Sequence, residues 1–223
     1  MSIVTTTAPD FQGIAKEVPQ LLVAPGATLE LLVVASEGSQ CVGVDLVSGT
    51  LTRAWSKAPL ATLARQYDVV RVTLAEDLDA LPDPAEPEAV ALSEPPEVVG
   101  RITGRRAEKL IRPLLHPRTE PLLGSHAPAL PFWERRADHP SIALVEPEGP
   151  VMFRREASYL ACKFAWQGVV RELPCLDRRL ASEMDRAGRT RASAPARARL
   201  VVALTPPIAG HCHKVVEAVL PRS

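Results

Sequence analysis

The densest chemical cluster in the chain is Gly210-His211-Cys212-His213-Lys214. On a strand, His211 and His213 would share one side and could recruit Cys162 or Cys175 to a metal. The pair supplies only two ligands and no local residue completes the set, so no metal site is expected. At a helix N-terminus, Cys212 between two imidazoles would have a lowered pKa and act as a nucleophile. Against this, Cys212 precedes Val215, Val216 and Val219 at helical spacing, which makes it a small core residue. A helix over His211 to Leu220 puts His211, His213 and Lys214 at its start. Cations there oppose the macrodipole by about 0.3–1 kcal/mol each. A bound anion removes the conflict, because free N–H groups and bases then act together. Arg105, Arg106 and Lys109 stand the same way after Gly104.

A second group joins aromatic and basic residues: Phe132, Trp133, Arg135, Arg136 and His139. Such a group can stack a ring while Arg holds phosphate, or Trp133 can simply anchor a loop on the core. The candidate ligand-binding set is therefore His211, His213, Lys214, Arg105, Arg106, Trp133, Arg135 and Arg136. No Walker A loop, GxGxxG, GxSxG or HExxH occurs. Acids concentrate in Pro-rich stretches, so no paired-carboxylate site is indicated. No catalytic residue is named and no cofactor is expected.

The elements that must position these residues are mostly strands. Leu31 to Ala35, Cys41 to Leu46 and Thr50 to Trp55 read as a meander with turns at Glu37 to Ser39 and Ser48-Gly49. Val44 to Trp55 resembles one blade edge of a quinoprotein-type β-propeller. The resemblance covers about a dozen residues and does not recur at blade spacing, so a hairpin is expected instead. Leu60 to Gln66 suits a short helical turn. Asp68 to Leu74 and Val98 to Ile102 read as strands, and Arg105 to Leu115 as a helix interrupted by Pro113. Pro82 to Glu97 is acidic and holds five prolines, which predicts an exposed loop or spacer. Thr119 to Pro140 reads as a packed, irregular connector. Ile142 to Glu146, Val151 to Arg155, Tyr159 to Trp166 and Gly168 to Leu173 follow as strands. Asp177 can cap a helix carrying Leu180 and Met184. Gly188 to Ala198 reads as a loop, Arg199 to Leu204 as a strand and His211 to Leu220 as the last helix.

These elements carry a faint echo. Leu31 to Val34, Glu37-Gly38 and Ala54-Trp55 return as Ile142 to Val145, Glu148-Gly149 and Ala165-Trp166, always at an offset of 111. Lys109-Leu110-Ile111 likewise returns as Lys214-Val215-Val216. The expected fold is α+β and strand-rich, with two pseudo-repeated halves, each a β-meander followed by a strand and a short helix. The expected divisions are an N-terminal arm (1–28), a first half (29–118), the connector (119–140) and a second half (141–223).

Composition narrows the function. The 26 basic and 26 acidic residues cancel, so nothing pulls the chain toward nucleic acid over a distance. The charge is split along the chain, with nine acids against one Arg from Asp68 to Glu97 and six bases against one acid from Arg101 to Arg118. That pattern suits internal neutralisation or docking to a complementary partner. Met1 to Asp10 has neither a basic nor an apolar signal region, and no run is long enough to span a bilayer. Cys41, Cys162, Cys175 and Cys212 are widely spaced, which suits free thiols in a reducing cytoplasm. The leading expectation is a cytoplasmic binding or assembly module with a protein partner. The alternative is an enzyme or binder for a phosphorylated or nucleotide ligand in a groove between the halves. Neither nucleic acid nor membrane is an expected partner.

Overall fold

The computed structural model describes residues 24–57, 59–60, 64–76, 86–135, 139–194 and 198–221. The arm, the helical turn after Leu60 and Arg136 lie largely or wholly outside them. The fold is mixed α+β and strand-rich, with two sheets and two short helices.

The first sheet uses β1 (Thr28–Glu37), β2 (Gln40–Asp45), β3 (Leu51–Trp55), β4 (Asp68–Thr73), β5 (Ala89–Ala91) and β6 (Glu97–Arg101). Its order is β5-β3-β2-β1-β4-β6. The apolar run Leu31 to Val34 does not alternate because both faces of β1 are covered. Leu32 and Val34 face one cluster, and Leu31 and Val33 face another. Asp45 closes the β2–β3 turn by accepting from the backbone N–H groups of Val47 (3.1 Å) and Ser48 (3.2 Å). α1 (Gly104–Ile111) follows, and Pro113 confines the chain beyond it to one tight turn over Arg112–Leu114.

The second sheet uses β8 (Ile142–Val145), β9 (Met152–Arg155), β10 (Leu160–Trp166), β11 (Val169–Cys175), β12 (Arg191–Ser193), β13 (Arg199–Leu204) and β14 (His211–Leu220). Its order is β12-β9-β10-β11-β14-β13-β8, and β7 (Ala129–Pro131) of the connector adds to β14. α2 (Arg178–Arg186) starts at Asp177, whose Oδ1 accepts from the Leu180 N–H at 2.9 Å. The other carboxylate oxygen of Asp177 accepts from the Val219 N–H at 3.0 Å, which ties the helix start to β14.

Leu32, Val34, Val42 and Val44 of the first sheet pack against Leu144, Val201, Ala203 and Ala218 of the second. β13 is buried on both faces, so Leu200 and Val202 turn instead to the far cluster with Phe164, Trp166 and Met184.

Three expectations need correction. His211 to Leu220 is a strand, paired with β13, β11 and β7. Its apolar residues follow neither a clean helical nor a clean strand period, because both faces are buried and a bulge interrupts them. The β-branched Val215, Val216 and Val219 suit a strand better than a helix. The segment Pro82 to Glu97 is not simply an exposed loop. Glu86 and Glu88 are 3% and 8% exposed, and β5 forms within it. Gly188 to Ala198 likewise contains β12.

The two sheets also differ in how their strands follow one another. β1, β2 and β3 are sequential neighbours, whereas β8 is an edge that pairs only β13 within its sheet. Lys109-Leu110-Ile111 is helical, while Lys214-Val215-Val216 is extended. The topology does not confirm the pseudo-repeat expected from the echo.

Asp177 serves two backbone donors. Asp177→Ala removes a cap and leaves the N–H of buried Val219 unsatisfied. A loss of about 2–3 kcal/mol is expected in denaturant unfolding. A loss below about 0.5 kcal/mol, the scale of ordinary surface substitutions, would show that the tie carries nothing.

Candidate binding groove

Two charged strand residues that sequence reasoning passed over organise the interior. Arg53 of β3 is 1% exposed. Its Nη1 lies 3.1 Å from Glu86 Oε1, and its Nη2 lies 3.6 Å from Glu217 Oε1 of β14. Arg135 of the connector reaches the same Glu86 oxygen at 3.4 Å, and Trp55 Nε1 donates to Glu86 Oε2 at 3.3 Å. Gln40 Nε2 of β2 donates to Glu217 Oε1 at 3.0 Å. Glu217 reaches inward because it is the extra residue of a bulge. Val201 pairs Ala218 and Val202 pairs Val216, so Glu217 has no partner in the ladder. Burial holds the Glu217 carboxyl above the usual glutamate range, against the opposing pull of Arg53.

Beside this cluster lies a groove of about 690 Å³. Thr50 and Leu51 contribute from the first sheet, and Ile142 and Ala143 from edge strand β8 of the second. The chain from Pro113 to Pro121 follows that edge, with the His116 N–H donating to the Leu144 carbonyl at 2.7 Å. Five prolines line the groove: Pro87, Pro113, Pro117, Pro121 and Pro140. Each lacks a backbone N–H, so the walls are poor in donors.

Its polar members are Glu88, His116, Glu120 and His139, with Thr50 on the wall. Glu88 Oε1 accepts from both the N–H (2.7 Å) and the hydroxyl (2.6 Å) of Ser141. Glu88 Oε2 is buried and has no hydrogen-bond partner among the described residues. Burial pushes the Glu88 carboxyl up, while the Ser141 hydrogen bond and Arg53 pull it down less strongly. Burial pushes the His116 imidazole down, partly offset by the Pro121 carbonyl 3.2 Å from its Nε2. A carbonyl only accepts, so Nε2 carries the proton. The His139 ring sits against Gly124 and leaves little room there, since a Cβ on Gly124 would lie 3.2 Å from its Nδ1.

The residues singled out by sequence scatter. Trp133 and His211 do meet, with ring centroids 6.2 Å apart, because β7 pairs β14. Trp133 is 73% exposed, and His213 is exposed on the same strand. Lys214 is not with them. It is 1% exposed, and its Nζ donates to the carbonyls of Ser125 (2.5 Å) and Ala127 (2.7 Å). Burial lowers its pKa to about 8. Arg135 lies inside with Glu86. Arg105 and Arg106 are exposed on α1, and Arg199 beside Leu220 is bound to that helix through Glu108. That is the opposite end of β14 from His211, about 30 Å along the strand. With β14 extended, the helix-dipole argument for an anion at His211, His213 and Lys214 falls, and so does that for a Cys212 nucleophile.

All four cysteines are buried and unpaired with one another. Burial raises the Cys41 and Cys175 thiols to about 12 and the Cys162 thiol further. No group of three metal-ligating side chains occurs among the described residues, and no helix there is long and apolar enough to cross a membrane. Of the groove-lining residues, only His139 belongs to a cluster that stands out in the sequence, the aromatic and basic group. A charge within an apolar strand, Arg53 in Leu-Thr-Arg-Ala-Trp or Glu217 in Val-Val-Glu-Ala-Val, was the available signal.

Two measurements check this chemistry. Lys214→Met leaves two carbonyls without their donor and should cost about 1–3 kcal/mol, with Lys214→Glu costing more. A stabilised Lys214→Glu would contradict the placement of Lys214. Glu217 has a raised carboxyl pKa in the fold, so its contribution is present below the ordinary glutamate value and lost as pH rises through the raised one. Unfolding free energies from pH 4 upward should therefore shift in favour of Glu217→Gln relative to the parent as pH rises. A shift the other way would show that Arg53 outweighs burial.

No protein-family model matches the chain, and no curated protein matches it, so the reading of the groove rests on its own residues.

Proposed function

We propose that the protein is a binding module whose ligand seat is the groove between the two sheets. One observation carries this reading: the groove, at about 690 Å³, is lined from both sheets by Leu, Ile, Ala and Pro side chains around a few polar groups. Small-molecule seats of roughly 300–1,000 Å³ are built this way. The five prolines favour a preformed wall, which lowers the ordering cost of binding. A phosphorylated or nucleotide ligand fits poorly, because no Lys or Arg lines the groove among the described residues.

Contact with a partner protein is the second reading. Trp133, Phe132 and Ile208 are exposed, and the first two adjoin the β13–β14 turn, where the Phe132 N–H donates to the Gly210 carbonyl at 2.9 Å. Exposed aromatic residues of this kind anchor protein interfaces.

The first reading has a direct test. A neutral, environment-sensitive dye such as Nile red should bind with a blue-shifted emission. Thr50→Trp, which places a large ring on the groove wall, should weaken that binding by roughly tenfold, the scale of about 1.4 kcal/mol. Trp133→Ala, which lies outside the groove lining, should leave it unchanged. Equal binding by parent and Thr50→Trp would place the dye elsewhere and remove the support for this seat.

A further inference from the structure

Resting on the groove as the ligand seat, the geometry points to a ligand with an apolar body and a protonated amine, the amine seated on Glu88. Three observations converge on this. The charged residues lining the groove, among those described, are the acids Glu88 and Glu120, with no Lys or Arg beside them. The five wall prolines contribute no backbone donors. Glu88 is buried, with Oε1 held by Ser141 and Oε2 without a partner among the described residues. A buried acceptor without a donor is costly, and a ligand donor placed there recovers that cost. A carboxylate or phosphate in the same position would meet a like charge, with the imidazoles of His116 and His139 in the lining but no Lys or Arg among the described residues.

The arrangement behind Glu88 supports a cation rather than a neutral donor. Arg53 is the compensating charge that acts on Glu88, and it already lies 3.1 Å from Glu86 and 3.6 Å from Glu217. The Arg53 N–H also donates to the Glu88 carbonyl at 2.8 Å, so the Glu88 backbone is fixed to β3. Ser141, which opens onto β8, fixes the side chain. Glu88 is thus held from both sheets, and its unpartnered Oε2, closed to water in this fold, is reached by a ligand once the groove wall shifts at Glu88. Ammonium-to-carboxylate hydrogen bonds are about twice as strong as neutral ones, and more so where water is excluded.

Three ligands of one chain length separate the possibilities: octylammonium, octanoate and octanol, each titrated into the full chain by calorimetry below its aggregation concentration. Octylammonium should bind at least roughly tenfold more tightly than octanoate, with octanol between them. Glu88→Gln keeps an oxygen for Ser141 and removes the charge. It should bring octylammonium to about the affinity of octanol and leave octanol unchanged. Equal or tighter binding of octanoate overturns the amine assignment, as does unaltered octylammonium binding to a folded Glu88→Gln. The comparison of headgroups in the parent needs no variant, so it decides the matter even if Glu88→Gln does not fold. If all three bind alike, the groove remains a seat and only the amine assignment fails. If none binds, and Nile red does not either, the groove itself is not the seat.

Discussion

The buried guanidinium of Arg53 is the constraint around which the two sheets are arranged. It sits on β3 of the first sheet and meets Glu86 from the loop before β5 and Glu217 from β14 of the second. Arg135 brings the connector to the same point. Such a cluster adds little net stability over an apolar core, because desolvation opposes the Coulomb attraction. Its effect is on position. An apolar interface tolerates sliding, whereas charges taken out of water must meet their partners. Only one registration of the sheets brings Glu217 to Arg53, and the bulge in β14 is part of that registration. The groove inherits its shape from this fit, since Pro87 and Glu88 follow directly from Glu86.

The groove also depends on an edge. β8 ends the second sheet, and only part of its free side is covered, by the backbone bridge between Leu115 and Leu144 and the His116 bond. An uncovered edge invites pairing with other chains. Here the prolines of the 113–121 segment run past that edge, and residues without N–H groups cannot extend a ladder. The same residues deprive the groove of donors. Protection of the edge and the selectivity proposed for the groove thus follow from one choice of residue.

Much of the strand content could be read from the chain, because hairpin turns and β-branched runs announce themselves locally. Ser48-Gly49 marked the β2–β3 turn, and Asp177 marked the start of α2 by the geometry of its own side chain. What failed was whatever depends on the second layer. The sequence of β14 carries helical spacing because burial on both faces erases the alternation that identifies a half-exposed strand. Glu86 and Glu88 have the sequence character of a solvated stretch because a Pro-rich acidic segment ordinarily is one, and partners distant in sequence bring them inside, Arg53 and Ser141 among them at 33 and 53 residues away. Lys214 looked like a surface base for the same reason, its carbonyl partners lying 89 and 87 residues upstream. Trp133 and His211 meet, while Arg105 and Arg106 lie on α1 beside the other end of β14.

The place of β14 in the second sheet bears on how the molecule is made. It is the last of the described strands in chain order, yet it lies between β11 and β13 and also receives β7. During vectorial synthesis the first sheet has all its strands early, while the second waits with its middle strand missing. Until β14 emerges, β11 and β13 each present an unpaired edge, and Arg53 lacks the carboxylate of Glu217. Closure through pairings so distant in sequence is slow, and the open intermediate is the species most exposed to association with its neighbours. The edges of β11 and β13 are therefore the ones a nascent chain must keep from its neighbours until β14 arrives.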